Sequence, residues 1–134
     1  MNGKKAKPVF DRDYALEMTD GDTEFLKELV DLFNADYPQK LAGILRAIEE
    51  KDFDVIDKTA HSLKGASGNL GLNRVYELAF EIERMGKAKN IEGIDKIYQE
   101  LEEELERFKE FISRPDWEEV GWADTKLAPK SEET

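Results

Sequence analysis

Cysteine is absent from this chain, and histidine occurs once, at position 61. The first absence rules out disulfides, zinc thiolates and a cysteine nucleophile. The second rules out a two-metal carboxylate bundle, which needs Glu-x-x-His pairs on facing helices; the residue three before His61 is Lys58. Basic residues are outnumbered: 20 Lys and Arg stand against 31 Asp and Glu, for a formal net charge of −11. That balance argues against nucleic acid, whose phosphates need a basic face. No apolar run approaches the length of a membrane span. Lys4, Lys5 and Lys7 are not followed by the apolar segment of a signal peptide. The expectation is a soluble, cytoplasmic protein with no nucleic-acid or membrane partner. Strand-like alternation and internal repeats are also missing.

What the chain does have is helical periodicity. At 134 residues it is expected to form one domain with a modest core. Residues 1–9 read as a flexible polar lead. Asp11 is placed to cap a short helix ending near Met18, closed by Thr19-Asp20-Gly21. Asp22 is placed to cap a long stretch with Phe25, Leu26, Leu29, Val30, Leu32 and Phe33 before Pro38, and Leu41, Ile44, Leu45 and Ile48 after it. A proline inside a helix costs about 3 kcal/mol. The apolar phase nevertheless carries across it, which favours one kinked helix to about Glu50 over two helices joined at Tyr37-Pro38. Asn73 is placed to cap a further helix with Val75, Leu78, Ala79, Ile82 and Met85 inside, ending near Gly86 or Lys89. Asn90 is placed to cap the last one, where Ile94, Ile97, Tyr98, Leu101, Leu105, Phe108 and Ile112 keep three-four spacing. The acidic run from Glu100 to Glu106 reads mostly as its solvated face, and Arg114-Pro115 closes it.

The predicted architecture is all-α: an antiparallel four-helix bundle over residues 10–115, with a short extra N-terminal helix. Residues 116–134 read as a flexible acidic tail. Trp117 and Trp122 stand out in it and read as folding back onto the bundle rather than contacting a partner.

The remaining helix, from Asp52 as N-cap to Leu70 with Gly71 as its stop, carries the histidine. At about 100° per residue, Ile56, Thr59, Leu63, Ala66 and Leu70 fall within roughly 40° of the point opposite His61. Asp54, Asp57, Lys58, Lys64, Gly65 and Gly68 fall within roughly 60° of His61 itself. The imidazole is thus expected to face solvent. Gly65 and Gly68 each cost about 0.5–1 kcal/mol in a helix interior. Clearance for a bulky group approaching the ring accounts for both. Close packing of a neighbouring helix is the alternative, and the charged residues on the same face speak against it. Lys64, one turn from His61, supplies a mobile ammonium that would stabilise a phosphoryl group on the ring. No general base and no magnesium cage is apparent beside the histidine. Ser62 and Ser67 make poor hydrolase nucleophiles, because neighbouring positions such as His61 and Ser62 do not face each other on a helix.

His61-Ser62-Leu63-Lys64-Gly65, followed by Gly68 and by Leu70-Gly71, resembles the signature of the histidine-containing phosphotransfer (HPt) domain family. The likeness extends to Phe10-Asp11 through Gly21-Asp22, to Leu29, Phe33, Pro38 and Leu41, and to Glu77 through Glu83. The resemblance implies a phosphoryl carrier rather than a stand-alone enzyme. His61 would be the phosphoacceptor, attacking through Nε2, with Lys64 as electrostatic support and Gly65 and Gly68 as clearance. Its partners would be receiver domains of a hybrid sensor histidine kinase or of response regulators, the receiver would bring the magnesium, and the carrier would be a monomer. An adaptor bundle that is never phosphorylated would leave the histidine and glycines unexplained. A phosphoacceptor module of a chemotaxis-type kinase shares the motif, but this length leaves no room for attached kinase domains.

Overall fold

The computed structural model describes residues 11–114 and Trp117. Five helices follow in order: α1 (Arg12–Met18), α2 (Thr23–Glu50), α3 (Phe53–Asn69), α4 (Asn73–Ala88) and α5 (Ile94–Ile112). The described residues contain no strand. Short connections make α2 to α5 an antiparallel bundle in which α3 packs on α2 and α4, and α5 packs on α4 and α2. The lead at 1–9, Pro115 and, apart from Trp117, the tail at 116–134 with Trp122 lie outside the described residues.

Three aspartates start three of the helices as predicted. Asp11, Asp22 and Asp52 each accept a hydrogen bond from the amide three residues on, at Tyr14, Phe25 and Val55. The two asparagine caps do not hold. Leu72 is the N-cap of α4, with no side-chain bond, and Asn73 is its first helical residue. Asn90 accepts from the Glu92 amide in a local turn, and α5 begins only after Gly93, whose φ is +82°. Asparagine bonds its neighbouring backbone in turns as readily as it caps helices.

α2 runs through Pro38 as one helix. Buried Phe33 and Tyr37 before the proline and Ile44, Ala47 and Ile48 after it face the same core. Phe33 meets Phe108 of α5 edge-on at 5.3 Å, and Tyr98 of α5 donates to the Leu41 carbonyl at 3.2 Å. That packing offsets the lost helix bond. α1 lies against α2, buries Ala15, and is tied to the α3–α4 turn by the Asp11 amide donating to the Gly71 carbonyl at 3.0 Å. Trp117 folds back as predicted: it is buried, its ring 6.3 Å from that of Phe111.

The predicted core lines of α5 and α4 shift. In α5, Phe111 is buried and Ile112 only half-buried, and Glu104, inside the run read as a solvated face, is buried. In α4, Met85 is half-buried while Glu83 and Gly86 are buried. The second shift builds the site.

Candidate functional site

α3 turns its histidine outward, and the His61 side chain is 65 % exposed. The buried line of the helix differs from the predicted one. Ile56, Ala60, Leu63 and Ser67 are buried, and Thr59 and Ala66 are only half-buried. This rotates the core side by about 50° away from the point opposite His61. The rotation brings Asp57, Lys64 and Gly68 against α4. Sequence reasoning took their charges as a bar to helix packing, but α4 supplies the counter-charges.

Glu83 of α4 is the centre of the arrangement. Its side chain is 4 % exposed, with Oε2 2.8 Å from His61 Nδ1 and Oε1 2.7 Å from Lys64 Nζ. Lys87, one turn further on, reaches the same Oε2 at 3.9 Å and Asp57 of α3 at 3.1 Å. Lys64 also lies over the Phe80 ring, 4.7 Å from its centroid, and Arg84 approaches that ring from 5.7 Å. Lys64 is therefore held by Glu83 and Phe80 and is not the mobile ammonium the sequence suggests.

Burial pushes the Glu83 carboxyl up, but hydrogen bonding from Lys64 and His61 outweighs it and holds the group below the usual glutamate range. Hydrogen bonding to Glu83 in turn pushes Lys64 up. Both groups are charged at neutral pH. An ionised carboxylate only accepts, so His61 Nδ1 is the donor and carries the proton. In the neutral ring the lone pair then sits on Nε2, at the other edge of the imidazole. Sequence analysis saw no general base beside the histidine and did not place Glu83 there: a buried carboxylate bonds Nδ1 and fixes the tautomer. Among the described residues no group of three or more His, Asp or Glu is placed to hold a metal ion, and both Glu83 oxygens are engaged by α3.

The two glycines separate. A Cβ at Gly65 would meet nothing within 4 Å, so the space beside His61 is open there. A Cβ at Gly68 would lie 3.0 Å from the Tyr76 ring of α4. Gly68 faces its own bundle, which is the helix-packing alternative, and the clearance reading stays with Gly65 alone. Sequence reasoning missed Glu83 and Gly86. The signal was present, since both sit in phase with Val75, Ala79 and Ile82 on the buried side of α4.

Comparison with known proteins supplies the family and the fold. Residues 28–111, more than half of the chain, match the family model described as Hpt domain. The chain belongs to the Hpt domain family. It is 29 % identical over 104 residues to the phosphorelay intermediate protein rdeA of Dictyostelium discoideum, a match covering 78 % of this chain and 41 % of that protein. It is 30 % identical over 93 residues to histidine-containing phosphotransfer protein 2 of Arabidopsis thaliana, covering 67 % of this chain and 60 % of that one. The chain thus spans only part of the length of these relatives. The crystal structure of histidine-containing phosphotransfer protein B (HptB) from Pseudomonas aeruginosa PAO1 shares the fold, with a TM-score of 0.68 at 22 % identity over 74 % of this chain and 86 % of that one.

Proposed function

We propose that this chain is a phosphorelay intermediate in which His61 accepts a phosphoryl group from the aspartyl phosphate of one receiver domain and passes it to another. The observation that carries the reading is the His61–Glu83 hydrogen bond on an exposed ring. It keeps the proton on Nδ1, so the Nε2 lone pair attacks phosphorus without first losing a proton. The N–P bond forms as the P–O bond to the receiver aspartate breaks, and the aspartate leaves as a carboxylate. The ring gains positive charge, which the Glu83 carboxylate stabilises from 2.8 Å. Lys64, held on Glu83 one turn away, adds positive charge near the dianionic phosphoryl group. Gly65 leaves room for the receiver to close on the ring. The carrier supplies a positioned nucleophile, and the receiver supplies the magnesium and the aspartate, so the bundle is a relay substrate more than an enzyme.

The docking face we assign is the exposed apolar set on α1 and α2. Tyr14, Met18, Phe25 and Leu32 of α1 and α2 are exposed, Leu32 at 65 %. A groove of about 400 Å³ runs beside them between Leu29, Leu32, Ala66 and Asn69. A face of this kind suits receivers of a hybrid sensor kinase or of response regulators in the cytoplasm, met by a monomer one at a time.

The test is transfer from a pre-phosphorylated receiver. Wild type is expected to take up an acid-labile, alkali-stable label that is lost in His61→Gln. Gly65→Leu is expected to block uptake while the bundle stays folded by circular dichroism. A folded wild type that takes no label from a broad receiver panel would sink the reading, and normal uptake by Gly65→Leu would sink the clearance role.

A further inference from the structure

Glu83 has to reach two groups on a neighbouring helix at once, His61 and Lys64, at 2.8 and 2.7 Å. Helix axes ordinarily stand about 8–10 Å apart, according to the side chains at the contact. The separation of α3 and α4 is therefore part of the site, and two glycines on different helices set it. On α4, one turn after Glu83, Gly86 is buried against the first turns of α3. A Cβ there would lie 2.8 Å from the Asp57 amide nitrogen, 3.0 Å from Ile56 Cγ2 and 3.1 Å from the Phe53 carbonyl oxygen. Two of those three atoms are main chain and cannot swing aside. Near the other end of the pair, Gly68 of α3 lies against Tyr76 of α4, its Cβ position 3.0 and 3.3 Å from ring carbons. The helices are antiparallel, so these two approaches bracket the His61–Glu83 hydrogen bond along the interface. Asp57, beside the Gly86 contact, is also the partner of Lys87 at 3.1 Å, which ties the close approach to the charge cluster.

We propose that Gly86 and Gly68 are positioning residues for His61: they hold α4 close enough to α3 for Glu83 to keep the proton on Nδ1. A methyl group at position 86 wedges the helices apart where Glu83 bridges them, and the carboxylate loses its grip on the ring. A methyl group at position 68 does the same more weakly, because the Tyr76 ring, 39 % exposed, can turn away. The kinetic consequence rests on His61 being the phosphoacceptor; the consequence for the ring proton does not.

The experiment uses the full chain labelled with 15N in histidine. The imidazole nitrogens report which one carries the proton in wild type, Gly86→Ala, Gly68→Ala, Glu83→Ala and the double variant Gly86→Ala with Glu83→Ala, each checked for folding by circular dichroism. Transfer rates from a phosphorylated receiver are measured on the same samples. Wild type is expected to show the Nδ1–H form. Gly86→Ala is expected to move toward the Glu83→Ala spectrum and to transfer about 10-fold more slowly, since small misplacements at a reacting centre cost rates of this order. The double variant is expected to be no slower than Glu83→Ala alone. Gly68→Ala is expected to shift the same way by less, and adding Tyr76→Leu is expected to restore it. An unchanged ring tautomer in both glycine variants overturns the proposal, as do losses from Gly86→Ala and Glu83→Ala that multiply. If Gly86→Ala does not fold, Gly68→Ala with and without Tyr76→Leu decides by the same spectra. If wild type takes no phosphoryl group, the relay reading fails, while the spectra still decide the positioning role.

Discussion

Glu83 and Glu104 are the two buried carboxylates among the described residues, and the bundle treats them in opposite ways. Glu83 sits at the joint of α4 with α3, and its partners His61 and Lys64 come from the other helix. Its carboxyl is held below the usual range even though burial works against it. Glu104 sits on α5, and its bonded partner, Arg107 at 2.9 Å, comes from the next turn of the same helix. There burial wins: it pushes Glu104 up, and the charges of Arg107 and Arg74 offset only part of it. The difference lies in the donors. Two groups bonded to Glu83 across an interface outweigh its burial; around Glu104 one bonded arginine on the same helix and the charge of Arg74 do not. The first arrangement also works in reverse, because a carboxylate that stays ionised dictates where the histidine keeps its proton.

The largest expected effect separates the two by function. Glu83→Ala removes a hydrogen bond to a charged group, which is about 1.5–3 kcal/mol, or roughly 10–100-fold in phosphoryl transfer. Glu104→Ala is expected to leave the transfer rate within about twofold and to appear only in stability. Single-turnover transfer from a phosphorylated receiver measures both. Equal slowing in the two variants would break the contrast.

The next effect is in the pH dependence of stability, where the signs are opposite. Glu83 has its folded pKa lowered from the ordinary 4.5, so it contributes stability above that value and loses it as pH falls through the folded pKa. Glu104 has its folded pKa raised from 4.5, so the folded protein holds the extra proton. Its ionisation removes stability as pH rises from 4.5 through the folded pKa. Urea unfolding of the glutamine variants is therefore expected to diverge from wild type as pH rises. Glu83→Gln becomes less stable, by about 1–3 kcal/mol at neutral pH, because Lys64 loses its counter-charge. Glu104→Gln becomes more stable, by on the order of 0.5–1 kcal/mol. Both are expected to approach wild type in acid, where the natural carboxyls are protonated. Deviations of the same sign would show that the two sites do not differ as described.

The bundle was largely legible from sequence because its signals are local. An aspartate three residues before an amide, or an apolar residue recurring every three or four positions, needs no knowledge of the neighbouring helix. Asp11, Asp22 and Asp52 all read correctly for that reason. His61, its exposure and its motif were legible on the same terms. Glu83 was not, although its helical phase marks it as inward, because the partner that makes a buried glutamate tolerable lies 22 residues earlier on another helix. Glu104 was not legible either, because charge patterning marks the run from Glu100 to Glu106 as mostly a solvated face without showing which glutamate meets a neighbouring helix. Gly86 read as a helix stop and Gly68 as clearance, since no local pattern shows which backbone or ring each one faces.

The smallest effects test whether position matters once strength is equal. Arg74 pairs with Glu100 at 3.1 Å across the α4–α5 joint, and Lys87 pairs with Asp57 at 3.1 Å across the α3–α4 joint. Both pairs are partly solvated, so each alanine variant at Arg74 or Lys87 is expected to lose less than about 1 kcal/mol in urea unfolding. Their effects on transfer should differ. Lys87 stands 3.9 Å from the Glu83 oxygen that holds His61. Its charge offsets that of Glu83 in the field an incoming dianionic phosphoryl group meets. Lys87→Ala is expected to slow transfer about twofold at low ionic strength and to match wild type near 1 M salt, where the screening length is about 3 Å. Arg74→Ala, on the other joint, is expected to match wild type at both. A salt-sensitive loss in Arg74→Ala would mean that transfer responds to the charge of the whole bundle. A loss confined to Lys87→Ala would mean that it responds to the joint around Glu83.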